Sequence, residues 1–428
     1  MNSHESASWT EDLPHCSETG LGEAGATQYR SDGSRIESHK KKLDYKVYCK
    51  FENNIYLYGI FTGHNGSQVA ELSLQTIPYH IFCGQMQSGF TEDEIINLIK
   101  EAFVNVEKSY NDQINNLLFK RVTLLDSLPR GLSEYEIAQH YKPVLDELNN
   151  INEELTVGAS VVLALIYNHK LYIANLGNSR ALLCKNDENN VLRVKQLSVD
   201  HDLTNPDEEA RFRALGLDVA ALKKNNVVYA TRCIGNYMGK GGYKDSTFLS
   251  GAVMEPIITV PEIVGPIEIN DSTRFLILMS KGLCRTLADI YELEASLVNQ
   301  KCVQITVEHF RNQTSLMGIA QSVVNKVNLN HYEKFMEEKS KALSSREDMT
   351  FLIRNFNYPI PNAKNQATQK GSSTISSVMS DAMNSTINSE YRTKFEEKIS
   401  PYVDFTDYYQ RVAEAKRKGT LPKGIEFD

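Results

Sequence analysis

The seven cysteines of this 428-residue chain, Cys16, Cys49, Cys83, Cys184, Cys233, Cys284 and Cys302, are odd in number and include no Cys-x-x-Cys pair. That spacing supports neither a disulfide framework nor a zinc site, and it fits a reducing, cytoplasmic setting. Positive charge is not in excess either. Lys plus Arg total 46 against 54 Asp plus Glu, a net charge of -8, so a nucleic-acid binder relying on phosphate neutralisation is excluded. No apolar run approaches the ~18 residues of a membrane span: the longest, residues 159–167, is already interrupted by Ser160. The opening MNSHESASWTEDLP lacks the basic and apolar regions of a signal peptide, and no internal repeat is present. A soluble chain is expected.

What is present is a core and two polar flanks. Hydrophobic residues make up 41% of the chain, enough to bury a substantial interior. Residues 1–43 are polar and lack periodicity, so they read as loosely ordered, with Trp9 and Leu13 as possible anchors. From Tyr45 to Thr62, "YKVYCKFENNIYLYGIF" reads as a hairpin turning at Asn53-Asn54, and a helical pattern follows through Ile77. Ile95, Leu98, Ile99, Ala102, Phe103 and Val106 carry helical spacing behind Thr91 and Glu94, a capping box. Two long helices, 91–125 and 133–155, are predicted, split at Pro129 and Gly131. Strands resume at 159–165, 170–176 and 180–184. Strands, helices, then strands again predict an α+β sandwich rather than an alternating βαβ fold. Residues 357–399 shift to Pro, Asn, Gln, Ser and Thr, the composition of a disordered linker.

"FLILMSKGLC" (275–284) poses a chemical question. Four strand formers end at Lys281-Gly282, and a strand that opens into a Gly turn usually aims a functional side chain. Chemistry there would want a carboxylate or a nucleophile. Lys281 either serves such a role as a cation or simply snorkels into solvent.

Five strings in order answer it: "YGIFTGHNGSQVA" (58–70), "VGASVVLALIYNHKLYIANLGNSRALL" (157–183), "LSVDH" (197–201), "FLILMSKGL" (275–283) and "REDMTFLI" (346–353). Together they resemble the metal-dependent, type 2C-like Ser/Thr protein phosphatases. The resemblance implies two packed, mainly antiparallel β-sheets flanked by helix pairs over residues 44–356. It also implies two divalent metals on converging carboxylates. At the family's ligand positions this chain has Thr62, Asn178, Asn236 and Lys281, while Gly63, His64 and Asp348 remain. Hard cations need carboxylate oxygens. An ammonium adds repulsion: a single-charge pair about 4 Å apart interacts by roughly 4 kcal/mol at an effective dielectric of about 20. Metal binding in the family's mode is therefore not expected, no cofactor is assigned, and the domain reads as a pseudophosphatase. Two further readings use the same site. One is residual phosphatase activity through Asp348 and Asp200; the other is a phosphate-reading module in which Lys281 and Arg232 supply the metals' charge. Asp200-His201 itself reads as a structural turn. No R-x-x-M-E-D string precedes Tyr45, leaving Arg30 and Arg35 as loose candidates for the family's phosphate-binding arginine.

"SWTEDLPHC" and "PYVDFTDYY" narrow the resemblance to the binding protein 1 family of the TGF-beta-activated kinase, adaptors that dock on and activate that MAP kinase kinase kinase. It implies the kinase catalytic domain as partner. An inhibitor-of-apoptosis protein and a stress-activated MAP kinase are further partners it suggests. The tail supports a docking element on its own physics. Ser400 is a natural N-cap, Pro401 suits the first helical position, and Lys416, Arg417 and Lys418 crowd the end before Gly419. A helix over 400–419 follows. Tyr402, Phe405, Tyr409 and Val412 share one face, with Val403 and Tyr408 beside them in the expected kinase-binding set. Such a stripe either clamps onto the protein's own body or anchors in a partner groove.

Overall fold

The computed structural model describes residues 10, 13–36, 42–51, 54–82, 89–129, 131 and 133–361. The expected kinase-binding helix, and all of the linker beyond residue 361, lie outside the described residues.

The chain opens with β1 (Thr19–Ala24), β2 (Thr27–Tyr29) and β3 (Arg35–Ile36), followed by β4 (Asp44–Lys50) and β5 (Tyr56–His64). Helices α1 (Gln68–Phe82), α2 (Glu92–Ser127), α3 (Glu134–His140) and α4 (Lys142–Leu155) come next. Strands β6 (Gly158–Tyr167), β7 (Lys170–Leu176), β8 (Arg180–Asn186) and β9 (Leu192–Gln196) lead to α5 (Pro206–Ala214), α6 (Val219–Lys224) and the short β10 (Ile234–Gly235). Then come β11 (Glu262–Glu268) and β12 (Thr273–Met279), helices α7 (Lys281–Tyr291), α8 (Ala295–Asn312) and α9 (Leu316–Glu338), and finally β13 (Ser345–Arg346) and β14 (Met349–Asn355).

Alternation along the strands builds the layers. One sheet runs β11-β7-β6-β5-β4 with β10 on β6, the other β1-β14-β12-β8-β9, and their main pairings are antiparallel. Tyr58, Ile60, Val162 and Ala164 of the first sheet meet Leu183, Leu276, Leu278 and Leu352 of the second in a central core. Their neighbours in sequence face the opposite way, as a period of two requires. Leu57, Phe61, Val161 and Leu163 pack with Ile77, Ile99 and Phe103 of α1 and α2, whereas Phe275, Ile277 and Phe351 pack with Leu287, Cys302 and Val323 of α7, α8 and α9. The result is the expected α+β sandwich with helices on both outer faces. All ten residues of β6 are buried because both its faces are covered.

Local structure departs from the sequence reading in three places. Residues 1–43 are not uniformly loose, since β1 forms the edge of the second sheet, paired from Thr19↔Arg354 to Ala24↔Met349. Its glycines disguise it. Gly has poor strand propensity, but a Cβ on Gly20 or Gly22 would stand 2.1 or 2.2 Å from the carbonyl oxygens of Leu316 and Ala320, where α9 crosses the strand. Gly22→Ala should therefore lower stability by about 1–3 kcal/mol, read as a lower urea midpoint. Gly25→Ala, whose Cβ would meet only Asp348 Oδ1 at 4.0 Å, should be near neutral. The second long helix is divided at Tyr141 by Pro143, which lacks the N–H to continue α3. Finally, Lys281 does not stand in a turn: Ser280 caps α7, and Lys281 is its first residue. The capping box of α2 forms as expected, with Glu94 Oε2 accepting from Thr91 N at 2.7 Å and Thr91 Oγ1 from Glu94 N at 3.3 Å.

Candidate functional site

Thr62, Gly63 and His64 end β5, and the antiparallel register places Asp44 of β4 and Ser160 of β6 on either side of Thr62. Asp348, just before β14, closes the same cavity. Its Oδ1 accepts from Ala26 N and its Oδ2 from Leu43 N, both at 2.6 Å, so the carboxylate ties the β1–β2 turn to the entry of β4. This cavity of about 300 Å³ is lined by Asp44, Thr62, Gly63, His64 and Asp348 among others.

Asp44 was passed over in the sequence. It is 1% exposed, and neither carboxyl oxygen has a hydrogen-bond partner among the described residues. Burial pushes its pKa up to about 7, with the charge of Asp348 adding to the rise and the nearby hydroxyls of Thr62, Thr350 and Ser280 tempering it. A signal was available. The β4–β5 hairpin register carries Asp44 directly across from Thr62.

Tyr229 has no sequence signal. Its ring stacks on His64 with centroids 4.9 Å apart at 21°, and Lys281 Nζ stands 3.3 Å from the same ring's centroid. His64 is 3% exposed with both ring nitrogens unpartnered, and burial, reinforced by Lys281 and Lys240, lowers its pKa to about 3. It is therefore neutral at physiological pH, without the imidazolium proton a general acid would give. Tyr229 lines both this cavity and a second crevice of about 530 Å³, which takes in Asn178, Lys281 and Asp200. The expected single site is thus split by an aromatic ring.

The remaining candidates fall to structural roles. Asn178 Nδ2 donates to the Tyr229 carbonyl at 3.4 Å. Asn236 lines neither cavity; it adopts a left-handed conformation (φ 58°, ψ 60°) and its Oδ1 caps a short 3-10 turn through Gly239 N at 3.2 Å. Asp200 is held by Arg180, whose Nη2 lies 2.6 Å from Oδ2, and His201 Nδ1 accepts from Gly177 N at 3.1 Å. Asp200 and His201 thus have structural partners, but the expected turn lies just after them, at Leu203-Thr204. Arg232 cannot serve as a phosphate clamp: its Nε and Nη2 donate to buried Glu208 at 2.8 and 2.6 Å, and Arg211 holds the other oxygen of that carboxylate.

Residues 25–331 match the family described as protein phosphatase 2C. The chain belongs to the protein phosphatase 2C family. A Caenorhabditis elegans protein named TGF-beta-activated kinase 1 and MAP3K7-binding protein 1 is 25% identical over 352 residues, 80% of this chain and 82% of that one. A probable protein phosphatase 2C from Paramecium tetraurelia is 27% identical over 60% of this chain and 73% of its own. Among solved structures, a C. elegans sex-determining protein aligns with a TM-score of 0.48 at 13% identity, over 80% of this chain and 65% of that one. A Toxoplasma gondii phosphatase 2C aligns at 0.47 and 14%, over 81% and 98%.

The metals associated with protein phosphatase 2C chemistry do not fit these side chains. Both Asp348 oxygens already accept backbone N–H bonds, Thr62 offers a hydroxyl, Asp44 holds its proton up to about pH 7, and Lys281 brings a cation. Among the described residues, no group of three or more His, Cys, Asp or Glu side chains is arranged to hold a metal ion. Nor is any described helix long and apolar enough to cross a membrane.

Proposed function

We propose that this chain is a non-catalytic, cytoplasmic adaptor. In this reading its phosphatase-like domain is an interaction scaffold, and its helix over 400–419 binds and promotes activation of a TGF-beta-activated-type MAP kinase kinase kinase. The observation that carries the non-catalytic half is Tyr229, in ring contact with both His64 and Lys281 where the phosphatase resemblance calls for carboxylates and metals. The kinase half rests on the 80% and 82% overlap with the C. elegans kinase-binding protein and on the aromatic stripe of Tyr402, Phe405 and Tyr409. An inhibitor-of-apoptosis protein and a stress-activated MAP kinase belong to the same proposal as further partners.

The full chain should release no phosphate from phosphopeptides or a small aryl phosphate across a Mn²⁺ titration. Turnover that disappears in Asp348→Ala would overturn the non-catalytic reading. Thr62→Asp combined with Lys281→Asp should raise Mn²⁺ affinity measured by calorimetry, because it restores two carboxylates and removes the cation.

A further inference from the structure

The two large sheets have four edge strands, β1, β4, β9 and β11, and an edge presents unpaired N–H and C=O groups unless something covers or distorts it. At β1 the outward N–H groups of Leu21 and Glu23 donate to Met317 Sδ at 3.2 Å and Gln321 Oε1 at 3.1 Å, both from α9. Part of β4 is covered by the preceding chain: Lys50 N donates to the Pro14 carbonyl and Cys16 N to that of Tyr48. β11 shifts register between Val264 and Ile267, around Pro266, and both a bulge and a proline spoil an edge for pairing. β9 has none of these devices. Leu197 N donates to the Ala181 carbonyl and Asp187 N to that of Val191, so the odd-numbered residues bond to β8 and the even-numbered ones face outward. Among the described residues, the outward N–H and C=O groups of Leu192, Val194 and Gln196 meet no hydrogen-bond partner.

We propose that the edge of β9 is a strand-addition site for an extended partner peptide that alternates acidic and apolar side chains. The main-chain groups of Leu192, Val194 and Gln196 would hold any extended chain, and the side chains of the strand choose which one. Arg193 and Lys195 stand exposed on one face. Arg193 engages Asp187 through Nε alone, at 2.8 Å, with its side chain 70% exposed, and Lys195 has neither a hydrogen bond nor an ion pair among the described residues. On the other face Leu192 and Val194 are half-buried against the core under α7, α8 and α9. An added antiparallel strand sets one row of its side chains beside the two cations, where carboxylates suit, and the other beside Leu192 and Val194, where apolar groups do. A second copy of this chain fits worse. Joining two β9 edges about a dyad at Val194 places Arg193 of each copy opposite Lys195 of the other, and like charges directly opposite are destabilising. The site uses only residues of the phosphatase-like domain, so it stands apart from the proposed kinase-binding helix.

The test titrates the full chain into the end-blocked, dye-labelled peptide TVEVEVT and its basic counterpart TVKVKVT by fluorescence anisotropy, with amide hydrogen exchange read on the complex. The acidic peptide should bind about tenfold or more tightly than the basic one and slow exchange over residues 192–196 while leaving β1 and β4 unchanged. Arg193→Glu combined with Lys195→Glu should reverse that preference. Register makes a finer demand. A peptide valine opposite Val194 turns its N–H toward β9 and the flanking glutamates turn theirs away. N-methylation of the central valine should therefore abolish binding, and N-methylation of a glutamate should not. No binding of the acidic peptide, equal affinity for the two peptides, no loss from the valine methyl group, or protection of residues 192–196 by self-association alone would overturn the proposal.

Discussion

Phe405→Ala should weaken binding of the full chain to the kinase catalytic domain by ~30- to 1000-fold, because a buried aromatic anchor typically contributes about 2–4 kcal/mol when truncated. Phe405 lies outside the described residues, so the expectation rests on the sequence. Tyr402, Phe405, Tyr409 and Val412 repeat at three and four, and a helix capped by Ser400 and Pro401 puts them on one face. The kinase-adaptor resemblance places the buried aromatic at the phenylalanine of P-Y-V-D-F. Asp407→Ala is the matched control. Helical spacing sets it off that face, so it should cost under about 1 kcal/mol. Titration of the full chain and of a peptide spanning 396–420 against the kinase catalytic domain, with kinase activation measured alongside, decides the matter. Wild-type affinity in Phe405→Ala would remove the tail as anchor and leave the phosphatase-like domain to carry any kinase contact.

Asp44→Asn should stabilise the protein increasingly as pH rises. In the folded chain Asp44 keeps its proton up to about pH 7, whereas in the unfolded chain it titrates near the ordinary aspartate value. Between those values the folded state binds more protons than the unfolded one, so the wild type loses stability as pH rises through this window. About three units at 1.36 kcal/mol each give a loss of roughly 4 kcal/mol, complete above about pH 7. Asparagine is close in shape to the neutral acid and carries no charge to bury beside Asp348. The stability difference between variant and wild type, taken from urea melts, should therefore widen from about pH 4 to about pH 7 and then level off. A difference independent of pH would show that Asp44 is ionised in the folded state without strain, and that the cavity is better solvated than its geometry implies.

The chain's alternating strands and capped helices were legible because they are local. Leu276 and Leu278 face one way and Phe275 and Ile277 the other as a direct consequence of the pleat, and Thr91 with Glu94 caps α2 through atoms three residues apart. The strand-end positions of Thr62 and Lys281 were equally readable, since each sits in a short string. What the sequence did not reveal depends on segments distant in the chain. Gly20 and Gly22 look like loop residues until α9, some 300 residues later, is laid across them, and only backbone without a Cβ admits that approach. Tyr229 has no pattern of its own; tertiary folding brings its ring against His64 and Lys281, where it lines both cavities. Asp44 lies between these cases, because the hairpin register that carries it opposite Thr62 is local, while its held proton comes from burial and from Asp348, contributed by the far end of the fold. By itself the sequence determined the strand alternation that builds the layers and the local caps that start the helices. Folding alone decided which side chains fill the space, because burial and close approach are properties of surfaces that exist only once the sheets have packed.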